Sequence, residues 1–136
     1  MSHVKPGLES LLKILYAEDD PVAAELVRSG LRAHGWEVQV AQDSMQTSML
    51  AGKGQYDLIL LDLQMPGGGG FVSLKRLGMS IKTSNIPVII VSGAEDKGAP
   101  EEARRLGARA FVKKPVDLDE LASLIRSTLG LPDPAS

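Results

Sequence analysis

The sequence predicts an α/β fold in which a parallel sheet lies between two layers of helices. Strand-like and helix-like segments alternate along the chain five times. Three of the strand-like segments, at 14–17, 58–61 and 88–91, are continuously apolar rather than alternating. Continuous apolar runs are typical of strands that are covered on both faces, as the strands of parallel sheets are.

The boundaries of the predicted elements follow from turn residues and apolar spacing. In chain order we expect a strand at 14–17, a helix from Pro21 to near Gly35, a strand at 36–40, a helix at 44–51, a strand at 58–61, a helix at 71–81, a strand at 88–91, a helix at 101–106, a strand at 108–112 and a helix from Asp117.

Helical spacing of apolar residues supports the longer helices. The first helix carries Ala23, Leu26, Val27 and Leu31, and Pro21 suits its first turn. The helix at 44–51 stops before Gly52 and Gly54, and a loop at 64–70 precedes the third helix. The third helix is expected to place one face of apolar side chains on the sheet, namely Phe71, Leu74, Leu77 and Ile81.

The last helix has both a start signal and an apolar stripe. Asp117 and Glu120, three residues apart, match a capping box. The stripe consists of Leu118, Leu121, Ala122, Ile125 and Leu129. We therefore expect one domain at 1–130 with its core at about 12–130, followed by a tail or linker at 131–136.

Composition excludes several classes of function. The chain has no cysteine, which rules out thiolate metal sites and thiol catalysis. Its net charge of -2, with both signs interspersed, gives no footprint for direct nucleic acid binding. No apolar stretch approaches the roughly 20 residues of a membrane span, and the start shows no secretory signal. We expect no membrane insertion and a cytoplasmic protein.

Polar side chains follow the predicted strands at the edge where open α/β sheets bind ligands. Crowded carboxylates at the rim of an apolar core need either a proton or a cation, and carboxylate oxygens suit Mg²⁺. The strand-end residues are Glu18, Asp19 and Asp20 after the first strand, Asp62 after the third, Ser92 after the fourth, and Lys113, Lys114 and Pro115 after the fifth.

In this order and spacing, the motifs resemble the receiver domain of two-component response regulators, in particular stand-alone, chemotaxis-regulator-like receivers. The likeness covers 13–129. It rests on Glu18-Asp19, Asp62, Met65-Pro66 with Gly70, Ser92-Gly93, and Phe111 three residues before Lys114-Pro115. The resemblance implies a flavodoxin-like (βα)5 fold with strand order 2-1-3-4-5.

The resemblance also implies a phosphorylation site. Asp62 would accept phosphate from a histidine kinase or a histidine phosphotransfer protein. Mg²⁺ would be bound by Asp19 directly, by Glu18 through water, by Asp62 and by the backbone carbonyl of Gln64. Asp20 does not fall where the family's direct metal ligand stands.

Further roles come from the same resemblance. Lys114 would neutralise a phosphoryl oxygen, and Lys113 would be a solvated surface charge. Ser92 would donate its hydroxyl to the phosphoryl group, and Phe111 would rotate inward as a switch toward an unknown downstream protein. The Lys114–Pro115 bond is expected to be cis. Where many DNA-binding members carry an acidic pair, this chain has Arg109-Ala110.

Two alternatives belong to other functional classes. An aspartyl-phosphate-type hydrolase would need a second aspartate two residues beyond the nucleophile, where Gln64 stands. A pseudo-receiver would bind partners without phosphorylation, although every expected site residue is present. We expect no enzyme that turns over a small substrate. The sequence leaves open the kinase, the target, and whether the chain acts alone or within a longer regulator.

Overall fold

The computed structural model describes residues 12–65, 67, 69–93 and 98–132. Within these residues the chain forms a five-stranded sheet. The strands are β1 (Lys13–Ala17), β2 (Glu37–Ala41), β3 (Leu58–Leu61), β4 (Val88–Ser92) and β5 (Ala110–Lys113). The helices are α1 (Pro21–Arg32), α2 (Ser44–Lys53), α3 (Gly69–Met79), α4 (Ala99–Arg105) and α5 (Leu118–Leu129).

The sheet has the order β2-β1-β3-β4-β5, and every neighbouring pair is parallel. The predicted strand order is therefore confirmed. Because β1 lies between β2 and β3, the chain reverses its direction of winding at β1. The carboxyl ends of β1 and β3 form the crevice in which such sheets bind ligands.

Helices cover both faces of the sheet, which explains the continuous apolar runs. Successive strand residues point to opposite faces. Leu15, Ile59 and Ile90 thus lie in the cluster formed with α2, α3 and α4. Ile14 and Leu60 lie in the cluster formed with α1 and α5. For this reason the three central strands are apolar between Ile14 and Ala17, Leu58 and Leu61, and Val88 and Val91.

Side-chain caps begin three helices where the sequence suggests a start. The carboxylates of Asp20, Asp43 and Asp117 accept backbone N–H groups in the first turns of α1, α2 and α5. These bonds satisfy donors that have no partner within the helix. Gly130, with φ of 72°, ends α5 in the left-handed conformation that favours glycine.

Two residues of the predicted apolar faces lie outside the core. Helix α3 ends at Met79, and Ile81 is 93% exposed, because Thr83 folds back and donates its hydroxyl to the Leu77 carbonyl at 2.7 Å. Leu26 is 60% exposed, since the buried face of α1 runs through Ala24, Val27 and Leu31. The placement of Ile81 on the apolar face of the third helix was wrong, and Leu26 has the expected helical spacing but lies outside the buried face of α1.

The ends of the predicted elements shift by a few residues elsewhere. Helix α3 begins at Gly69, inside the predicted loop, and β5 begins at Ala110. The stripe on α5 is confirmed, with Leu121, Ala122 and Ile125 buried. Leu131, at the start of the predicted tail, is buried against the cluster of α1 and α5, whereas residues 133–136 lie outside the described part of the chain.

Among the helices described here, none combines the length and the apolar character that a bilayer crossing requires.

Candidate functional site

Ladder hydrogen bonds fix the residues that follow the strands. The Glu18 N–H donates to the Ala41 carbonyl at 2.9 Å, and the Asp62 N–H donates to the Ala17 carbonyl at 3.0 Å. Each acidic residue therefore continues the pairing of its strand by one step. Their side chains are delivered to one edge by the sheet itself rather than by a loose loop.

Three carboxylates converge at this edge. Glu18, Asp19 and Asp62 each offer an oxygen, and the three oxygens lie within 4.8 Å of one another. Glu18 is 1% exposed and Asp62 is 3% exposed, whereas Asp19 is open to solvent. Asp20 does not join them: its carboxylate accepts the Val22 N–H at 3.0 Å and caps α1. The cluster thus contains three of the predicted metal-binding residues.

Lys114 supplies the positive charge of the site. Its Nζ lies 2.6 Å from Glu18 Oε1 and 3.1 Å from Asp62 Oδ2, so it bridges the two buried carboxylates. The Lys114 N–H donates to the Ser92 carbonyl at 3.0 Å, and the Lys114–Pro115 bond is cis, as predicted. The neighbouring Lys113 is exposed.

Three donors among the described residues hold the Glu18 carboxylate. The Tyr16 hydroxyl donates to Oε1 at 3.0 Å, the Asp20 N–H donates to Oε2 at 3.1 Å, and Lys114 completes the set. Burial opposes ionisation of Glu18, but these hydrogen bonds outweigh it and lower its pKa. Burial and the nearby Glu18 charge raise the pKa of Tyr16, so its hydroxyl remains a donor.

Asp62 has a less favourable environment for charge. Its Oδ1 accepts the Gln64 N–H at 2.9 Å. Burial, helped by the Glu18 charge, nevertheless raises the pKa of Asp62 against the hydrogen bonds from Gln64 and Lys114. Burial lowers the pKa of Lys114, but its two carboxylate partners outweigh that effect and raise it. The two carboxylates therefore favour the charged form of the lysine.

The remaining predicted residues surround this group. Ser92 is wholly buried at the end of β4. Gln64 is exposed, and its N–H is committed to Asp62. Phe111 is partly buried in β5, packs against the cluster formed with α2, α3 and α4, and borders a small cavity beside Pro100 and Ala103. The arrangement brings the predicted acidic residues and Lys114 into contact, with Ser92 on the adjacent strand.

Gly70 lies directly beneath the end of β3. Its N–H donates to the Leu63 carbonyl at 2.8 Å. A Cβ at this position would lie 2.4 Å from Leu63 Cα and 2.5 Å from the Asp62 carbonyl oxygen. Only glycine fits this close approach of two backbones. Met65 is buried beside it, whereas Pro66 lies outside the described residues.

Sequence reasoning missed Tyr16. The residue is wholly buried in β1, and an aromatic side chain in a central strand is ordinarily a core residue. A signal was nevertheless present, because residues two apart in a strand share a face, and Tyr16 stands two residues before Glu18.

The family model of the response regulator receiver domain matches residues 14–126. The chain belongs to this family. It is thus a signalling domain of two-component systems, and its fold is the flavodoxin-like fold that the sequence predicts.

Individual receiver proteins show how far the similarity extends. Protein PilH of Pseudomonas aeruginosa is 33% identical over 119 residues, which cover 88% of this chain and 98% of PilH. The DNA-binding dual master transcriptional regulator RpaA of Synechocystis is 33% identical over 117 residues, which cover 86% of this chain and 48% of RpaA. The chain therefore spans about half the length of RpaA and nearly all of PilH.

A solved receiver structure matches the whole architecture. The receiver domain of the sensor histidine kinase PA1611 from Pseudomonas aeruginosa superimposes with a TM-score of 0.81 at 25% identity, covering 88% of this chain and 98% of that one. That structure has a magnesium ion coordinated in its active site cleft.

Proposed function

We propose that this receiver domain accepts a phosphoryl group on Asp62 in a Mg²⁺-dependent reaction and signals through a change of its surface. The observation that carries the proposal is the position of Asp62. It is a buried carboxylate at the end of a central strand, with an ammonium group 3.1 Å away and two further carboxylates within reach. The donor would be a histidine kinase or a histidine phosphotransfer protein.

The chemistry requires little more than positioning and charge. An Asp62 oxygen attacks the phosphorus of a phosphohistidine in line, the phosphorus–nitrogen bond breaks, and an acyl phosphate remains on Asp62. The Gln64 N–H holds Oδ1 of Asp62, which orients the carboxylate. Lys114, already bonded to Oδ2, lies close enough to balance the charge of the incoming oxygens.

The carboxylate cluster fits Mg²⁺. Hard oxygen ligands suit this ion, and three carboxylates whose oxygens lie within 4.8 Å of one another offer them. Glu18, Asp19 and Asp62 would hold the ion, with the Gln64 carbonyl as a further ligand. When bound, Mg²⁺ would offset the negative charge that develops on the transferring group. The magnesium ion in the related PA1611 receiver supports this assignment.

Intact-mass analysis after incubation with acetyl phosphate tests the phosphorylation site. We expect the wild type to gain one phosphoryl group with Mg²⁺ and none in excess chelator. Asp62→Asn should gain none, whereas the control Asp57→Asn should behave as wild type, because Asp57 is exposed just before β3, at the opposite end of that strand. Phosphate on Asp62→Asn, or equal phosphorylation without Mg²⁺, would refute the assignment.

We further propose that Ser92 and Phe111 transmit the change. A phosphoryl group adds acceptor oxygens and charge, which attract the Ser92 hydroxyl and draw the end of β4 inward. Phe111 pairs with Ile90 across β4 and β5 and packs beside α4, so it is placed to respond. Its ring would then rotate inward and alter the surface that a downstream protein meets.

Ring resonances of the two phenylalanines test this switch. Phosphorylation of the wild type should shift the Phe111 ring signals, with Phe71 in α3 as an internal control. Ser92→Ala should still accept phosphate, yet its Phe111 signals should stay near their unphosphorylated positions. An equal shift of Phe111 in Ser92→Ala would exclude this coupling.

The alternatives gain no support. Gln64 occupies the position where a hydrolase of the aspartyl-phosphate type needs its acid, and a pseudo-receiver would not be expected to retain the full charged cluster. We expect slow loss of the phosphate but no turnover of a small substrate. We place residues 12–130 in one receiver domain that acts in the cytoplasm.

A further inference from the structure

Tyr16 makes a contact that core packing does not require. Its ring is wholly buried in the cluster formed with α1 and α5, but its hydroxyl reaches the end of the strand and donates to Glu18 Oε1 at 3.0 Å. A phenylalanine would fill the same volume without this hydrogen bond. The hydroxyl is therefore the part of the residue that needs an explanation.

We propose that Tyr16 is a positioning residue for the metal site, whose hydroxyl holds the Glu18 carboxylate in the orientation that serves Mg²⁺. The inference rests on the proposed function, because it takes Glu18 as part of the Mg²⁺ site. Tyr16 itself does not touch the metal or the phosphoryl group.

The hydrogen-bond donors to Glu18 would differ in whether they stay in place when Asp62 is phosphorylated. Oε1 receives both Lys114 Nζ at 2.6 Å and the Tyr16 hydroxyl at 3.0 Å, while Oε2 receives the Asp20 N–H. Lys114 is also the group that would turn toward a phosphoryl oxygen on Asp62. Once it does so, the Tyr16 hydroxyl is the donor that Oε1 keeps.

The strand makes this support rigid. Tyr16 and Glu18 share one face of β1, and β1 is paired on both sides, with β2 and with β3. A ring without solvent exposure has little freedom to move its hydroxyl. Hydrogen-bond partners of metal-binding side chains commonly contribute about 10- to 100-fold to metal affinity.

Calorimetric titration of the unphosphorylated protein with MgCl2 tests the proposal. We expect Tyr16→Phe to weaken Mg²⁺ binding by about tenfold, the lower end of that range because Glu18 would act through water. The matched control is Tyr56→Phe, the same change at the only other tyrosine. Tyr56 lies beside Lys13, at the opposite end of β1 from Glu18, and its removal should leave the Mg²⁺ affinity unchanged.

A double-mutant cycle separates positioning from a loss of packing. If Tyr16 acts through Glu18, Tyr16→Phe should weaken binding no further in a Glu18→Gln background. A second readout needs no metal: the Asp20 amide proton, bonded to Glu18 Oε2, should shift in Tyr16→Phe as the carboxylate reorients. Chemical shifts elsewhere in the sheet show that the variant remains folded.

The outcomes distinguish the two proposals. If the wild type binds Mg²⁺ and Tyr16→Phe binds it equally well, the positioning role is wrong while the proposed function stands. Equal weakening by Tyr16→Phe in the wild-type and Glu18→Gln backgrounds also overturns the role, because the effect would then bypass Glu18. If the wild type binds no Mg²⁺, the proposed function fails and the inference fails with it.

Discussion

Gly70→Ala should distort the proposed phosphorylation site, because Gly70 packs against the backbone that carries Asp62. The added Cβ would lie 2.4 Å from Leu63 Cα and 2.5 Å from the Asp62 carbonyl oxygen. Both neighbours are backbone atoms at the end of β3, so no side chain can swing away to make room. Since ordinary contact begins near 3.4 Å, one backbone must move by about 1 Å.

The magnitude follows from that displacement. Overpacking of this kind typically costs about 1–3 kcal/mol. Loss of the hydrogen bond from the Gly70 N–H to the Leu63 carbonyl would add about 1 kcal/mol. A shift of about 1 Å beside Asp62 should also slow its phosphorylation by up to about 100-fold, since transfer depends on alignment.

Gly78→Ala is the matched control, because Gly78 lies in the same helix. A Cβ there meets nothing within 4 Å. Alanine at such a helical position should stabilise the protein by about 0.5–1 kcal/mol and leave phosphorylation unchanged. The two variants should therefore differ by about 2.5–5 kcal/mol in the free energy of unfolding.

Urea unfolding followed by the fluorescence of Trp36 measures the difference. Trp36 is the only tryptophan and is 1% exposed, so its emission changes when the core opens. Phosphorylation rates with acetyl phosphate complete the comparison. A Gly70→Ala protein that is as stable as Gly78→Ala and as rapidly phosphorylated would refute the argument from close approach.

Three further predictions concern charge and docking. Lys114→Met removes the cation shared by two buried carboxylates, so it should lower the free energy of unfolding by about 2–4 kcal/mol in the presence of chelator. MgCl2 should then stabilise this variant more than it stabilises the wild type. Equal stabilisation of both proteins would contradict the prediction. Asp19→Asn should weaken Mg²⁺ binding in calorimetry, because a carboxylate ligand is lost. Without metal it should raise the melting temperature, because the repulsion between Asp19 and the other two carboxylates is lost as well. An unchanged Mg²⁺ affinity would show that Asp19 is not a ligand. Val22 and Leu26 are 77% and 60% exposed one turn apart on α1, which begins directly after the acidic residues of the site. Leu26→Ser should therefore slow transfer from a phosphohistidine protein but not from acetyl phosphate. The control Met45→Ser changes an exposed residue of α2, on the other face of the sheet, and should affect neither rate.

The residues at the strand ends were predictable because their positions follow from topology alone. A continuous apolar strand that ends in Asp62, in a parallel sheet, places that carboxylate at the same edge as Glu18. Strand order followed from the family resemblance and was confirmed. The cap at Asp117 was readable because a side-chain oxygen before a helix satisfies the free N–H groups of its first turn.

What the sequence could not show depends on contacts between distant segments or on angles around a helix. Ile81 matches the apolar spacing of α3, but Thr83 caps the carbonyl of Leu77 and the chain leaves the helix before reaching it. Leu26 stands next to the buried Val27, yet one residue turns a helix by about 100° and carries it into solvent. The bridge from Lys114 to Glu18 joins residues 96 positions apart, which no local pattern encodes.

The charges of the site show why the proposed function would need one divalent cation and one further hydrogen-bond donor. The three carboxylates of Glu18, Asp19 and Asp62 and the ammonium group of Lys114 together have a formal charge of about two negative units at the edge of an apolar core. Mg²⁺ would cancel them. Phosphorylation replaces the single charge of Asp62 with nearly two, so about one negative charge again lacks a partner. A buried charge without a partner is costly. The hydroxyl of the buried Ser92, at the adjacent strand end, is positioned to donate a hydrogen bond to it. Under the proposed function, this unbalanced charge would drive the change that a partner protein detects.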